Sequence, residues 1–222
     1  MNLKNLEIDL FLIRHAQPEN PPEHWTSPSS PLSEIGIKQA KFTAKELHTQ
    51  SFSEFIVSPF IRTKQTAAYI YDAFDIKPPL SEQEWLAEID LGDWAGKYKS
   101  EIKEDPSYPK FFPMNKVGKH EPLVARLLNV HKDFTFPNGE SIQLFWERVS
   151  SGFSQLVDSK RDGKTHKIAL IGHGGSFTII QSLLLGKSFA DKLFPVMAIN
   201  MGRYAHLRIY QGRVVVLQVN KF

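Results

Sequence analysis

Residues 8–17 read IDLFLIRHAQ, a nearly unbroken apolar run that stops at an arginine beside a histidine. A run of this length with no polar alternation is the pattern of a strand buried on both faces, as in a parallel sheet covered by helices on each side. The two charge-capable residues follow where such a strand ends. In open α/β sheets the carboxyl ends of the strands are where ligands sit.

The pattern repeats outward from this stretch. After a Pro- and Ser-rich loop, Ile37, Ala40, Ala44 and Leu47 recur at helical spacing behind Ser33, a suitable N-cap. FIVSP, residues 55–59, predicts a second strand running into an N-cap at Ser58 with proline at the first helical position, so that Arg62 falls in the first turn. A helix is expected from Ser141, with Phe145, Val149, Phe153 and Leu156 on one face. KIALIGHGGS, residues 167–176, is again strand into a glycine-rich turn, and the helix that follows closes at Gly186. Two last strands, 204–210 and 213–219, are joined through Gln211 and Gly212 as a hairpin. Between about 98 and 138 the pattern loosens into prolines, lysines and aromatics, which reads as an inserted lid, because so many aromatics are costly to leave in water. The expected fold is α/β: a three-layer sandwich with a mostly parallel sheet, helices on both faces, the lid and a C-terminal hairpin, forming a single domain over 1–222.

If the three apolar strands are parallel, Arg14, His15, Arg62 and His173 lie along one rim. Two guanidiniums and two imidazoles make a cage for an anion of phosphate size, since arginine's planar fork bonds two oxygens at once and stays charged. A histidine, about three-quarters neutral at pH 7 from its reference pKa of about 6.5, is pushed further toward neutral by neighbouring cations and is then a competent nucleophile at phosphorus. The departing oxygen needs a proton donor, and Glu88 in WLAEIDLGDWAG is the best carboxyl available; acting near neutrality requires its pKa to rise by about two units, roughly 2.7 kcal/mol.

The balance of 27 Lys plus Arg against 24 Asp plus Glu is too even to demand a nucleic-acid partner. No cysteine is present, so disulfides, thiolate metal ligands and a cysteine nucleophile are excluded. Lys4, Asn5, Glu7 and Asp9 interrupt the first apolar residues and speak against a signal peptide or membrane span, which leads to the expectation of a cytoplasmic protein. IGHGGS lacks the third glycine of a dinucleotide loop. A metal site of His15, His173 and Glu88 lacks the usual short spacing and would be repelled by two arginines, so no metal and no cofactor is expected.

Several motifs, in order, carry a resemblance to a known family. LIRHA (12–16), PLSEIGIKQA (31–40), VSPFIRTKQTA (57–67), LAEIDLGDWAG (86–96), NGES (138–141) and IGHGGS (171–176) together make the chain resemble the histidine phosphatase superfamily, which includes the cofactor-dependent phosphoglycerate mutases. The resemblance implies His15 as the phosphorylated nucleophile, Arg14, Arg62 and His173 as phosphate ligands, and Glu88 as the proton donor that later activates water. Asn20, Gly174 and Glu140 are further candidates for substrate contact, Glu140 with a contact to His173 as one option. Ala16 stands where the family usually has glycine. The expected activity is hydrolysis of a phosphate monoester, on a small phosphorylated substrate or a phosphoprotein; the alternatives are a phosphoglycerate mutase and a catalytically idle scaffold that binds a phosphorylated ligand. A homodimer through the edge of the closing hairpin is the other partner expected.

Overall fold

The computed structural model describes residues 2–19, 23–106, 108, 132–191 and 198–220. The run quoted above forms strand β1 (Glu7–Arg14), followed by helix α1 (Glu34–Leu47), β2 (Glu54–Val57), α2 (Ile61–Tyr71), β3 (Leu80–Glu82), α3 (Lys99–Lys103), α4 (Ile142–Ser159), β4 (Thr165–Gly172), α5 (Gly174–Leu184), β5 (Tyr204–Tyr210) and β6 (Arg213–Val219). Single turns of 3₁₀ helix lie at Glu84–Leu86 and Gly92–Trp94.

The strands form one six-stranded sheet in the order β3-β2-β4-β1-β5-β6. β1, β2, β3 and β4 are parallel, whereas β5 runs antiparallel to β1 and β6 antiparallel to β5. Successive residues of β1 serve opposite cores, because side chains alternate across a strand. Leu10 and Leu12 pack with Phe145, Val149, Phe153, Ile179 and Ile180 of α4 and α5. Phe11 and Ile13 pack with Ala44 and Leu47 of α1 and Ala67 and Ile70 of α2. The helices therefore cover both faces, which is why the strand is apolar at each successive position from Leu10 to Ile13. The closing turn places Gln211 and Gly212 at φ 50° and 78°, the double left-handed geometry that a two-residue hairpin requires.

Two expectations are modified. Helix α2 starts at Ile61 with Phe60 as its N-cap residue, not at Ser58; the Ser58 hydroxyl is committed to His173 at 2.7 Å, so it is unavailable as a cap. Most of the expected lid, with Phe111 and Phe112, lies outside the described residues. At the described margins of that segment Trp94, Tyr108, Phe134 and Phe136 form an aromatic cluster with ring centroids 5.0–5.8 Å apart. Among the described residues no helix is long and apolar enough to cross a membrane.

Candidate active site

Strand register brings the site together. Arg14 of β1 lies level with Gly172 of β4, and Val57 of β2 lies level with Ile171. The next residues, His15, His173 and Ser58, consequently leave three neighbouring strand tips, the two histidines level with each other and Ser58 one step behind. The His15 amide donates to the Gly172 carbonyl at 2.9 Å and the Ser58 amide to that of Ile171 at 3.0 Å, extending the ladder by one step into the turn.

The two imidazoles stand with ring centroids 5.1 Å apart. Each has its tautomer fixed by a partner. Nδ1 of His15 is 2.8 Å from the Ala16 carbonyl, which can only accept, so Nδ1 carries the hydrogen and Nε2 keeps its lone pair. In His173 the assignment is reversed: Arg62 Nη2 donates to Nδ1 at 3.2 Å, leaving Nε2–H to donate to Ser58 Oγ. Burial, then the charges of Arg62 and Arg14, hold His15 well below the usual histidine pKa. Burial followed by Arg62 does the same to His173.

Arg62 is only 3% exposed, and burial lowers its pKa to about 10. It donates to the Ser27 carbonyl at 2.9 Å and lies over the Phe60 ring, while Arg14 donates to the Ile199 carbonyl at 2.9 Å. The Nε of each guanidinium is buried and makes no hydrogen bond within the described residues. Buried donors without partners are uncommon and costly, and a pair of them beside two imidazoles matches what an oxyanion would satisfy. A Cβ added at Gly174 would lie 3.5 Å from Arg14 Cζ, so the glycine borders the same space. Ala16 directs its methyl into a small cluster with Leu32 and Ala40 and its amide to Thr66 Oγ1 at 3.0 Å, so this departure from glycine is absorbed by packing.

Glu88 approaches from the far side. Its Oε2 accepts from the Gly175 amide at 3.0 Å in the first turn of α5, and its pKa is raised by burial despite that bond and the nearby arginines. It shares a cleft of about 450 Å³ with Phe60, Glu84, Asp90, Glu140 and Arg148. Glu140 reaches the cleft through a close backbone approach: at Gly92, φ +51°, an added Cβ would lie 2.1 Å from the Pro137 carbonyl oxygen. The Glu140 amide donates to the Asp90 carbonyl at 3.0 Å. Its carboxylate meets Arg148 at 2.8 Å and not His173, contrary to that option. Asn20 lies outside the described residues.

The site thus unites Arg14, His15, Arg62, Glu88, His173 and Gly174, six of the eight residues nominated from the sequence, with Glu140 at its edge. Ser58 and Arg148 were missed. Ser58 followed by proline has the form of an N-cap, and a single arginine within an amphipathic helix has the form of a surface charge. The usable signal for Arg148 is its place two turns after Glu140.

A family model described as "Histidine phosphatase superfamily (branch 1)" matches residues 10–221. Phosphoserine phosphatase 1 of Hydrogenobacter thermophilus is 29% identical over 215 residues, covering 96% of this chain and 92% of that one. A probable phosphoglycerate mutase of Yersinia pestis is 25% identical over 186 residues, covering 81% and 75%. Among solved structures, a putative alpha-ribazole-5'-P phosphatase from Escherichia coli K-12 superposes with a TM-score of 0.78 at 21% identity, covering 96% of each chain. A mycobacterial glucosyl-3-phosphoglycerate phosphatase gives a TM-score of 0.72 at 21% identity, covering 96% and 99%. The structural likenesses show a common fold.

Proposed function

The chain belongs to the histidine phosphatase superfamily, and from that premise we propose that it is a phosphomonoesterase that hydrolyses a small phosphate ester through a phosphohistidine at His15. The observation that carries the reading is the fixed tautomer of His15: Nδ1–H is held by the Ala16 carbonyl, so Nε2 presents a lone pair beside two buried guanidiniums.

The reaction proceeds in two balanced steps. Nε2 of His15 attacks phosphorus, and the ester P–O bond breaks with its electron pair passing to the leaving oxygen, which takes the proton of Glu88. The Glu88 carboxylate then removes a proton from water as the water oxygen attacks phosphorus. The N–P bond breaks, its electron pair returns to Nε2, and phosphate departs with Glu88 protonated again. Arg14 and Arg62 take up the charge on the non-bridging oxygens, which needs no metal ion. A bound dianion favours a protonated His173, turning Nδ1 from acceptor to donor toward phosphate.

The test is phosphate release from p-nitrophenyl phosphate, run with EDTA and compared with isomerisation of 3-phosphoglycerate. The expected result is release that survives EDTA and exceeds isomerisation. His15→Ala should lower turnover by at least about 10³-fold, and acid-labile phosphate should be trapped on the wild type and not on the variant. Isomerisation without net release would replace this reading with that of a mutase. Phosphate binding without turnover would replace it with that of an idle scaffold.

A further inference from the structure

One guanidinium holds the segment that bears Glu88. Arg148, in the second turn of α4, donates from Nη1 to the carbonyls of Glu84, Trp85 and Ala87 at 2.8, 3.1 and 3.2 Å, and from Nη2 to that of Glu88 at 3.3 Å. Its Nε and Nη2 also meet the two oxygens of Glu140, each at 2.8 Å. Residues 84–88 comprise one 3₁₀ turn and extended chain, so the carbonyls of Trp85, Ala87 and Glu88 take a side chain as partner where regular structure would supply amides, and that of Glu84 takes it in addition to the Ala87 amide. The arginine itself is mounted on a rigid helix, since Phe145, Val149 and Phe153 beside it are buried. Its planar fork reaches several acceptors at once, which lysine's point charge cannot reproduce.

We propose that Arg148 is a positioning residue for the reaction: clamped by Glu140, it sets the path of residues 84–88 and so delivers the Glu88 carboxyl to the leaving oxygen. Arg148 acts through Glu88 and is not itself a ligand of the phosphoryl group. The assignment rests on Glu88 being the proton donor of the phosphatase reading. Proton delivery matters to an alkoxide leaving group and little to an acidic phenol that departs unaided. A displaced donor is therefore visible as selectivity between esters.

The experiment compares kcat/KM for a simple alkyl phosphate and for p-nitrophenyl phosphate in wild type, Arg148→Met, Arg148→Lys, Glu88→Gln and the Arg148→Met/Glu88→Gln double variant. Inhibition by inorganic phosphate serves as the reading of the cage. General acid catalysis is worth about 10²–10⁴-fold, so Arg148→Met should lower the alkyl value by about tenfold or more and the aryl value by less than about threefold, with phosphate inhibition unchanged. The double variant should be no slower than Glu88→Gln alone. Equal losses on the two esters, a loss that adds to that of Glu88→Gln, or no loss would each overturn the assignment. If Arg148→Met does not fold, Arg148→Lys, which keeps the charge and loses the fork, decides by the same comparison. Absence of turnover by the wild type would instead overturn the phosphatase reading, and this assignment with it.

Discussion

The proposed chemistry turns on opposed protonation preferences in two side chains. His15 must be neutral to attack, and burial with two adjacent cations keeps it so well below its ordinary pKa. Glu88 must be protonated to donate, and burial raises its pKa. The first requirement fails only when pH falls through the depressed value of His15; the second fails as pH rises through the elevated value of Glu88. For an alkyl phosphate, kcat/KM corrected for the ester's own ionisation should therefore be highest on the acid side and decline toward alkaline pH. Glu88→Gln should remove that decline along with about 10²–10⁴ of the rate; an unchanged alkaline limb in this variant would assign the titration to another group. Arg14, His15 and His173 were legible as a group because they follow apolar runs abruptly. Ser58 was not, because a hydroxyl before proline looks the same whether it caps a helix or holds an imidazole.

Among the elements, the strands were the easiest to read and the connections the hardest. β1 and β4 announce themselves through apolar residues on both faces, whereas β3 is three exposed residues, Leu80–Glu82, with no periodicity to detect. The contact between α4 and the 3₁₀ turn before Glu88 was equally silent, because it depends on an absent side chain. A Cβ at Gly152 would fall 2.1 Å from Cγ of Trp85. Gly152→Ala should force the indole aside, costing about 1–3 kcal/mol as overpacking does, and should lower alkyl phosphatase activity because Trp85 lies within the residues that lead to Glu88. Urea denaturation together with kcat/KM checks both effects, and a variant of native stability and activity would show that the indole has room to yield.

At the scale of the whole molecule, the cage is a cost to the fold. His15 and His173 are 7% and 0% exposed and both have depressed pKa values. Below about pH 6.5 the unfolded chain binds protons that the native imidazoles refuse, so stability falls with pH from there until the native values are reached, by at most about 1.4 kcal/mol per pH unit for each ring. The melting temperature should drop between about pH 7 and pH 5, and His15→Asn should make that slope shallower; an identical slope would place the proton uptake elsewhere. The architecture as a whole was legible because alternating apolar strands and helices leave few alternatives, while the loops between them follow no such period. The way Arg148 grips carbonyls from a distant loop also carries a lesson for anyone building hybrids of this protein. The stretches 84–90 and 138–148 form an interlocking pair, so a graft of one into a relative without the other should give a well-folded but sluggish enzyme, and only the joint transplant should carry the donor's taste in alcohols across.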